Sequence, residues 1–266
     1  MTSRKIISWN VNSLHARYND RSFLHLLEKE NPDIVCLQET KVTESGLDND
    51  LKKKLYELHY EIQFSKLYDE KYAGVAILSK NKFKLVDPIF FHEILDYQSR
   101  IIAGNFGDFI LVNIYSPTGT KTTSKNSQES LIEKLDFYRS LIESVKKLQN
   151  EMRPIILCGD FNIAHTDRDV YNPATRSKRQ VGIRSEERAL IDEILNFGFF
   201  DALRKQPKGA EQFSWLPSHK KLEYSNQGWR FDYFFVSNDL QEREIRSSII
   251  TGIRDRDHRP ISLEWG

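Results

Sequence analysis

Four short polar clusters, scattered over almost the whole chain, each close a run of apolar residues. Asn10 and Asn12 follow Ile6-Ile7-Ser8-Trp9, and Glu39 closes Ile34-Val35-Cys36-Leu37-Gln38. Asp160 and Asn162 follow Ile155-Ile156-Leu157-Cys158, and Asp232 with the Asp257-His258 pair completes the set. An aspartate can orient or deprotonate a water, and an asparagine can donate to an oxygen that gains charge as a transition state forms. A lone carboxylate at the end of an apolar strand suits a hard divalent ion such as Mg²⁺, which uses one or two carboxylates plus water and substrate phosphate. Histidine changes protonation near neutral pH, and a carboxylate on its second ring nitrogen would fix the tautomer and stabilise the charged form. Asp257 beside His258 projects elsewhere and is free to serve a metal site. Each cluster alone has a plainer reading: strand-end acids at Glu39 and Asp160, turn residues at Asn10, Asn12 and Asn162, an exposed charged turn over residues 254–260. Recurrence at four strand ends points instead to a single metal-assisted hydrolytic site.

Such a site needs strands that end together. Apolar, β-branched runs predict strands at residues 5–11, 34–39, 61–67, 74–79, 100–106, 109–115, 155–160, 231–237, 246–251 and 261–265. Amphipathic spacing predicts helices at 22–30, 47–58, 128–149 and 185–196, the last opened by a Ser185 cap and the acidic Glu186 and Glu187. Residues 73–115 hold almost nothing but strand, which favours antiparallel meanders over a βαβ repeat. The expected fold is α+β: mixed, mainly antiparallel sheets packed on each other with helices outside. Residues two apart on a strand share a face, so the Asn10/Asn12 and Asp160/Asn162 pairs are expected side by side. Two polar loops stand out, 118–127 and 166–184, the second carrying Arg168, Arg176, Lys178, Arg179 and Arg184. Loops of that length are usually functional or mobile. With no internal repeat or Pro/Gly/Ser-rich linker, residues 1–266 read as one domain.

Composition narrows the classes. The 266 residues are 39% hydrophobic and 29% charged, with a formal net charge of +1, so a polyanion must be met by a local patch and not by overall basicity. Cys36 and Cys158 sit in apolar runs and read as buried thiols of a reducing compartment, not as a metal pair or disulfide. No run approaches the ~20 apolar residues of a membrane span. The first strand starts almost at once, so the expectation is a cytoplasmic protein without a targeting segment, with no membrane partner.

Aromatic residues surround the polar clusters. Trp215 and Trp229 flank a basic stretch with His219, Lys220 and Lys221, Tyr72 precedes a strand, and Tyr115 precedes Ser116-Pro117. Aromatics near basic residues can stack on or wedge beside bases; Trp9 and Trp265 read as core. At this point the set Trp9-Asn10-Val11-Asn12, Leu37-Gln38-Glu39-Thr40-Lys41, Ile114-Tyr115-Ser116-Pro117, Gly159-Asp160-Phe161-Asn162, Gly228-Trp229-Arg230-Phe231-Asp232-Tyr233 and Asp257-His258-Arg259-Pro260 resembles, in order and over essentially the whole chain, the exonuclease III type of apurinic/apyrimidinic (AP) endonuclease. That type lies within the endonuclease/exonuclease/phosphatase superfamily.

The resemblance implies a four-layered αββα sandwich and Mg²⁺-dependent hydrolysis of DNA 5′ to an abasic site, with Mn²⁺ as the alternative ion. It also implies 3′–5′ exonuclease and 3′-end-cleaning activity, and a monomer acting on double-stranded DNA with abasic sites or blocked 3′ ends, nucleoid-associated through that DNA. The implied metal ligands are Glu39, with Asp257, Asn10 and Asn12 nearby. Asp160 would activate the water, Asn162 would hold it or the phosphate, His258 oriented by Asp232 would contact the scissile phosphate, and Tyr115 would bond it or assist the leaving group. Trp215 and Trp229 would wall an abasic-sugar pocket, Tyr72 would enter the minor groove, and Lys41 and Arg100 would lie near the site. Departures surround this core: Asn12 where some relatives have Asp, Ser13 and His15 in the opening motif, Thr118 for an amide, Leu216 for an aromatic and Arg256 for Ser. They bear on substrate preference, so the alternative reading is a member specialised for 3′-end processing or for nicking beside damaged bases.

Overall fold

The computed structural model describes residues 4–65, 74–86, 99–119, 127–177, 180–206, 213–217, 227–253 and 257–266. One sheet holds β1 (Arg4–Asn10), β2 (Ile34–Gln38), β3 (Glu61–Phe64), β4 (Val75–Ser79), β11 (Ile245–Ile249) and β12 (Ile261–Trp265). The other holds β5 (Lys84–Leu85), β6 (Ile101–Asn105), β7 (Ile110–Tyr115), β8 (Ile155–Asp160), β9 (Phe199–Asp201) and β10 (Asp232–Ser237). Their orders are β11-β12-β1-β2-β4-β3 and β5-β6-β7-β8-β10-β9. Each sheet has one parallel pair, β1 with β2 and β7 with β8, among antiparallel neighbours. A parallel pair needs a crossover. Helices α1 (Leu14–Asn19) and α2 (Ser22–Glu30) supply the first, and α4 (Ser127–Gln149) the second; α3 (Asn49–Glu57) and α5 (Ser185–Asn196) complete the helical layers.

Strand alternation explains why four layers form. On β8, Ile155 and Leu157 face α4 and α5, while Ile156 and Cys158 face the other sheet. β10 follows suit, with Tyr233 and Phe235 outward and Phe234 and Val236 inward. In the first sheet Ile6, Ile34 and Cys36 point inward, and Ile7, Trp9, Val35 and Leu37 pack under α1, α2 and α3. Both faces of these central strands are thus largely apolar, as the continuous hydrophobic runs require. Followed in steps of two, the inward parity of β1, β8 and β10 reaches Asn10, Asp160 and Asp232. Toward that end the inter-sheet core turns polar, first at the buried Ser8–Gln38–Asn113 hydrogen bonds and then at these three residues.

Gly159 is fixed by close approach. It lies opposite Ile114 in the parallel pair at φ +130, and a Cβ there would come within 1.9 Å of the Ile114 carbonyl oxygen. The β7 and β8 backbones are thereby pressed together one residue before Tyr115 and Asp160.

The architecture follows the αββα expectation, with differences at the short elements. Helix α1 and strands β5 and β9 were not expected, being too short to show a period. The 166–184 loop contains two 3-10 turns, Asp167–Asp169 and Pro173–Thr175. Helix α5 is capped at Arg184, not Ser185: the Glu187 carboxylate accepts the Arg184 N–H at 3.1 Å. Cys36 and Cys158 are buried free thiols. Among the described residues no helix is long and apolar enough to cross a membrane.

Candidate active site

Register assembles the site. Tyr115 pairs with Asp160 across β7 and β8, and Asp160 with Asp232 across β8 and β10, so three adjacent strands present these side chains in one row. From the facing sheet come Asn10 and, just past β2, Glu39. Glu39, Tyr115, Thr118, Asp160, Asn162, Asp257 and His258 line one cleft of ≈ 300 Å³ together with Trp215, Trp229 and Phe231. The four clusters of the sequence do converge.

The strand ends turn in a shared way. Asn10 Oδ1 accepts the Asn12 N–H at 3.1 Å, and Asp160 Oδ1 accepts the Asn162 N–H at 2.9 Å. Asn12 and Asn162 then adopt φ 44 and 51, left-handed conformations that asparagine tolerates. The expected same-face strand pairs are therefore corrected: neither Asn12 nor Asn162 is on a strand. An Asx turn brings Asn162 back to the cleft and sets Asn12 beside Asp257 and Lys41 at its edge. Asn162 Nδ2 donates to the Ser116 carbonyl at 3.0 Å.

Hydrogen bonds join the two sheets. Asn10 Nδ2 donates to Glu39 Oε1 at 3.1 Å and to Asp160 Oδ2 at 3.0 Å. The Tyr115 hydroxyl donates to Glu39 Oε1 at 2.9 Å. Lys41 Nζ lies 3.0 Å from Glu39 Oε2 and 2.5 Å from Asn12 Oδ1. His258 Nδ1 meets Asp232 Oδ2 at 2.9 Å, and its Nε2 lies 3.7 Å from Asp160 Oδ2. Asp232, His258 and Asp160 form a buried chain.

Burial alone would lower the His258 pKa, yet the carboxylates of Asp232 and then Asp160 outweigh it and push the imidazole up to about 10. Burial pushes the Asp160 carboxyl up to about 7 against the pull of His258, and Asp232 adds to the rise. An ion pair should lower its acid, so the two shifts disagree about Asp160 and His258 as a pair. The geometry favours Asp232 as the imidazolium's partner, at 2.9 Å against 3.7 Å. For Glu39 burial acts upward, but hydrogen bonds from Asn10, Lys41 and Tyr115 hold it below its ordinary value. Burial and the Glu39 charge raise Tyr115 well above its usual range, so it keeps its proton and acts as a hydrogen-bond donor.

Two donor sets bear on a metal. Asp160, Asp232 and His258 are buried, with ligand atoms within 4.8 Å of one another. Both ring nitrogens of His258, however, face carboxylates, and a protonated imidazole has no lone pair to give. The better fit is Glu39, Asn12 and Asp257: oxygen donors suited to a hard ion, with Asn12 Nδ2 only 3.5 Å from Asp257 Oδ2. The Lys41 ammonium already rests between Glu39 and Asn12, so the position accepts positive charge. Asn10 differs from expectation, since its oxygen faces the Asn12 N–H and its nitrogen links two carboxylates.

Trp215 and Trp229 exchange backbone hydrogen bonds at 2.8 Å, and their rings stand edge to face with centroids 6.4 Å apart. Phe231 packs against both. Arg100 is not among the residues lining the cleft; its guanidinium lies over the Tyr115 ring at 5.0 Å and donates to the Tyr115 carbonyl at 3.3 Å. Tyr72, Lys178, Arg179, the 219–221 basic stretch and Arg256 lie outside the described residues.

Sequence reasoning missed several supports. The indole N–H of Trp9, read as core, holds the His258 carbonyl at 2.9 Å. Ser214 Oγ accepts the N–H groups of Phe231 and Asp232, each at 3.1 Å. Lys134 Nζ donates to the Asn162 carbonyl at 2.7 Å. Only Lys134 left a signal: it occupies the apolar stripe of α4, with Leu131, Tyr138 and Leu141.

Residues 7–262 match the Endonuclease/Exonuclease/phosphatase family. The chain is 31% identical over 261 residues to an exodeoxyribonuclease of Bacillus subtilis (strain 168), covering 97% of this chain and 98% of that protein. It is 34% identical over 265 residues to a DNA-(apurinic or apyrimidinic site) endonuclease of Dictyostelium discoideum, covering 97% of this chain and 70% of that one. The 3′ phosphatase NExo from Neisseria, solved with a product DNA hairpin, superposes with a TM-score of 0.83 at 27% identity over 99% of both chains.

Proposed function

The chain belongs to the endonuclease/exonuclease/phosphatase family and is a phosphodiester hydrolase of the exodeoxyribonuclease and AP-endonuclease type, and from that premise we propose that it cleaves duplex DNA 5′ to abasic sites and trims 3′ ends. The observation that carries this reading is the buried Asp232–His258–Asp160 chain, set across from Glu39 in a cleft walled by Trp215 and Trp229. Asp160, its two oxygens held by Asn10 and Asn162, orients and deprotonates the attacking water. His258, charged and anchored by Asp232, donates to the phosphate as its negative charge grows. The Tyr115 hydroxyl is a second donor, and Asn162 holds the water or phosphate. Mg²⁺ would be held by Glu39, Asn12 and Asp257, and it would neutralise phosphate charge near the leaving oxygen. The tryptophan wall suits a flipped abasic sugar, which leaves the helix cheaply because no base pair or stack must be broken.

A second reading, a member specialised for 3′-end processing, is favoured by Thr118 lining the cleft in place of an amide and by the similarity to the Neisseria 3′ phosphatase. A panel of defined duplexes decides between them. Incision 5′ to a single abasic site, faster than removal of a 3′ phosphate, is expected; active 3′-phosphate removal with no abasic incision sinks the first reading. Binding that ignores salt would count against DNA altogether, because phosphate contacts release counterions.

A further inference from the structure

Behind the cleft lies an ion pair with no role in the chemistry above. Lys134 on α4 and Glu187 on α5 meet at 2.6 Å, both side chains 0% exposed. Lys134 Nζ also donates to the Asn162 carbonyl at 2.7 Å and to the Thr118 carbonyl at 3.4 Å. Glu187 Oε2 accepts the N–H groups of Gly182 at 2.7 Å and Arg184 at 3.1 Å. Three segments that shape the cleft therefore meet on one pair: the exit of β7 at Thr118, the exit of β8 at Asn162, and the loop before α5.

That loop is a wall of the cleft. Gly182 lines it at φ +93, and a Cβ there would lie 3.2 Å from Trp229 Cζ3 and 3.4 Å from the Asn162 carbonyl oxygen. The Gly182 carbonyl in turn accepts the Ala164 N–H at 2.7 Å. Stability alone does not account for the charges, because well-packed apolar residues of similar volume usually serve a core as well as a buried ion pair. What an apolar pair could not supply is a directed donor to one loop and a directed acceptor for the other.

We propose that Lys134 and Glu187 are positioning residues, a buried clamp that sets Asn162 against the Gly182–Trp229 wall and so fits the water-holding side of the cleft to the sugar-holding side. This rests on the nuclease reading above. Errors of ~1 Å in such a fit cost roughly a hundredfold in rate.

The full chain carrying K134M, and the double variant K134M/E187Q, test the clamp; the glutamine keeps an acceptor for the two loop N–H groups without a stranded charge. The double variant is expected to melt near the parent while kcat on an abasic duplex falls about 10- to 100-fold and KM moves less than about threefold. Recovery of kcat along with stability would reduce the pair to a structural role and overturn the proposal. So would a double variant that unfolds with loss of all activity, or K134M with parental kcat. Amide hydrogen exchange separates this from failure of the nuclease reading. Even if the parent cleaves no abasic duplex, Gly182 and Arg184 must exchange faster in K134M while β1 and β2 amides do not. Unchanged exchange, or equal acceleration in both sheets, overturns the clamp.

Discussion

Asn10 and Asp160, 150 positions apart in sequence, are joined by a hydrogen bond of 3.0 Å from the amide nitrogen to Oδ2. The same nitrogen bonds Glu39 Oε1 at 3.1 Å, so one uncharged donor sits between the carboxylates of two sheets. It keeps the proposed base and the proposed metal ligand close without a third charge.

Replacing Asn10 with Leu keeps the volume and removes the donor. The Asp160 carboxyl, which the Asn10 bond holds down, should then titrate higher, moving the acidic limb of the rate profile upward. A shift of one unit lowers the rate at pH 6 by roughly tenfold. A pH–rate series checks this, and an unmoved limb would show that the bond is incidental.

The Asp160–His258–Asp232 chain should give a bell-shaped profile. Below about 7 Asp160 takes up a proton and cannot act as base, and above about 10 His258 loses the charge that faces the phosphate. Asp232→Asn removes the main support of the imidazolium. The imidazole titration followed by NMR should fall toward its ordinary value near 6.5, with kcat reduced about 10²- to 10⁴-fold. DNA affinity, by contrast, should stay within about threefold.

Asp169 predicts the acid stability. Burial would raise its carboxyl, but Arg230, at 2.7 Å, and Arg204 hold it down at about 2. A lowered folded-state value stabilises the fold above the unfolded value of about 3.9, and that contribution fades as pH falls through about 2. Roughly 2 kcal/mol should be lost across this window. His258 acts with the opposite sign: its contribution is complete below about 6.5 and fades as pH rises through about 10. Urea unfolding from pH 2 to 5 measures the acid side, and Asp169→Asn should flatten it.

Glu39→Gln tests the metal assignment without relying on turnover. It keeps an acceptor for Asn10 and Tyr115 but removes the negative charge of that carboxylate. Titration calorimetry should show Mg²⁺ affinity weakened by about tenfold or more. Unchanged affinity would move the ion to another donor set.

Much of this molecule is legible from its residues, for local reasons. Runs such as Ile155-Ile156-Leu157-Cys158 are apolar on both faces, which only a strand between two layers tolerates. The stripe of α4 and the polar residue at the end of each run are likewise visible one residue at a time. Elements of two or three residues, such as β5 and β9, leave no period to detect. The αL turns at Asn12 and Asn162 also escaped, because an i, i+2 pair reads the same on a strand as in an Asx turn.

The sequence by itself determined which groups are present and that each lies where a strand ends, since hydrophobic runs and polar stops are properties of neighbouring residues. Tertiary structure alone decided what each group faces. Whether Asn10 offers a carboxylate its nitrogen or a metal its oxygen depends on Glu39 and Asp160 arriving from other strands. Whether Lys134 is a misplaced charge or a clamp depends on Glu187 from another helix and on the carbonyl of Asn162. A charge or dipole takes its meaning from partners within a few ångströms, and here those partners lie tens to hundreds of residues away.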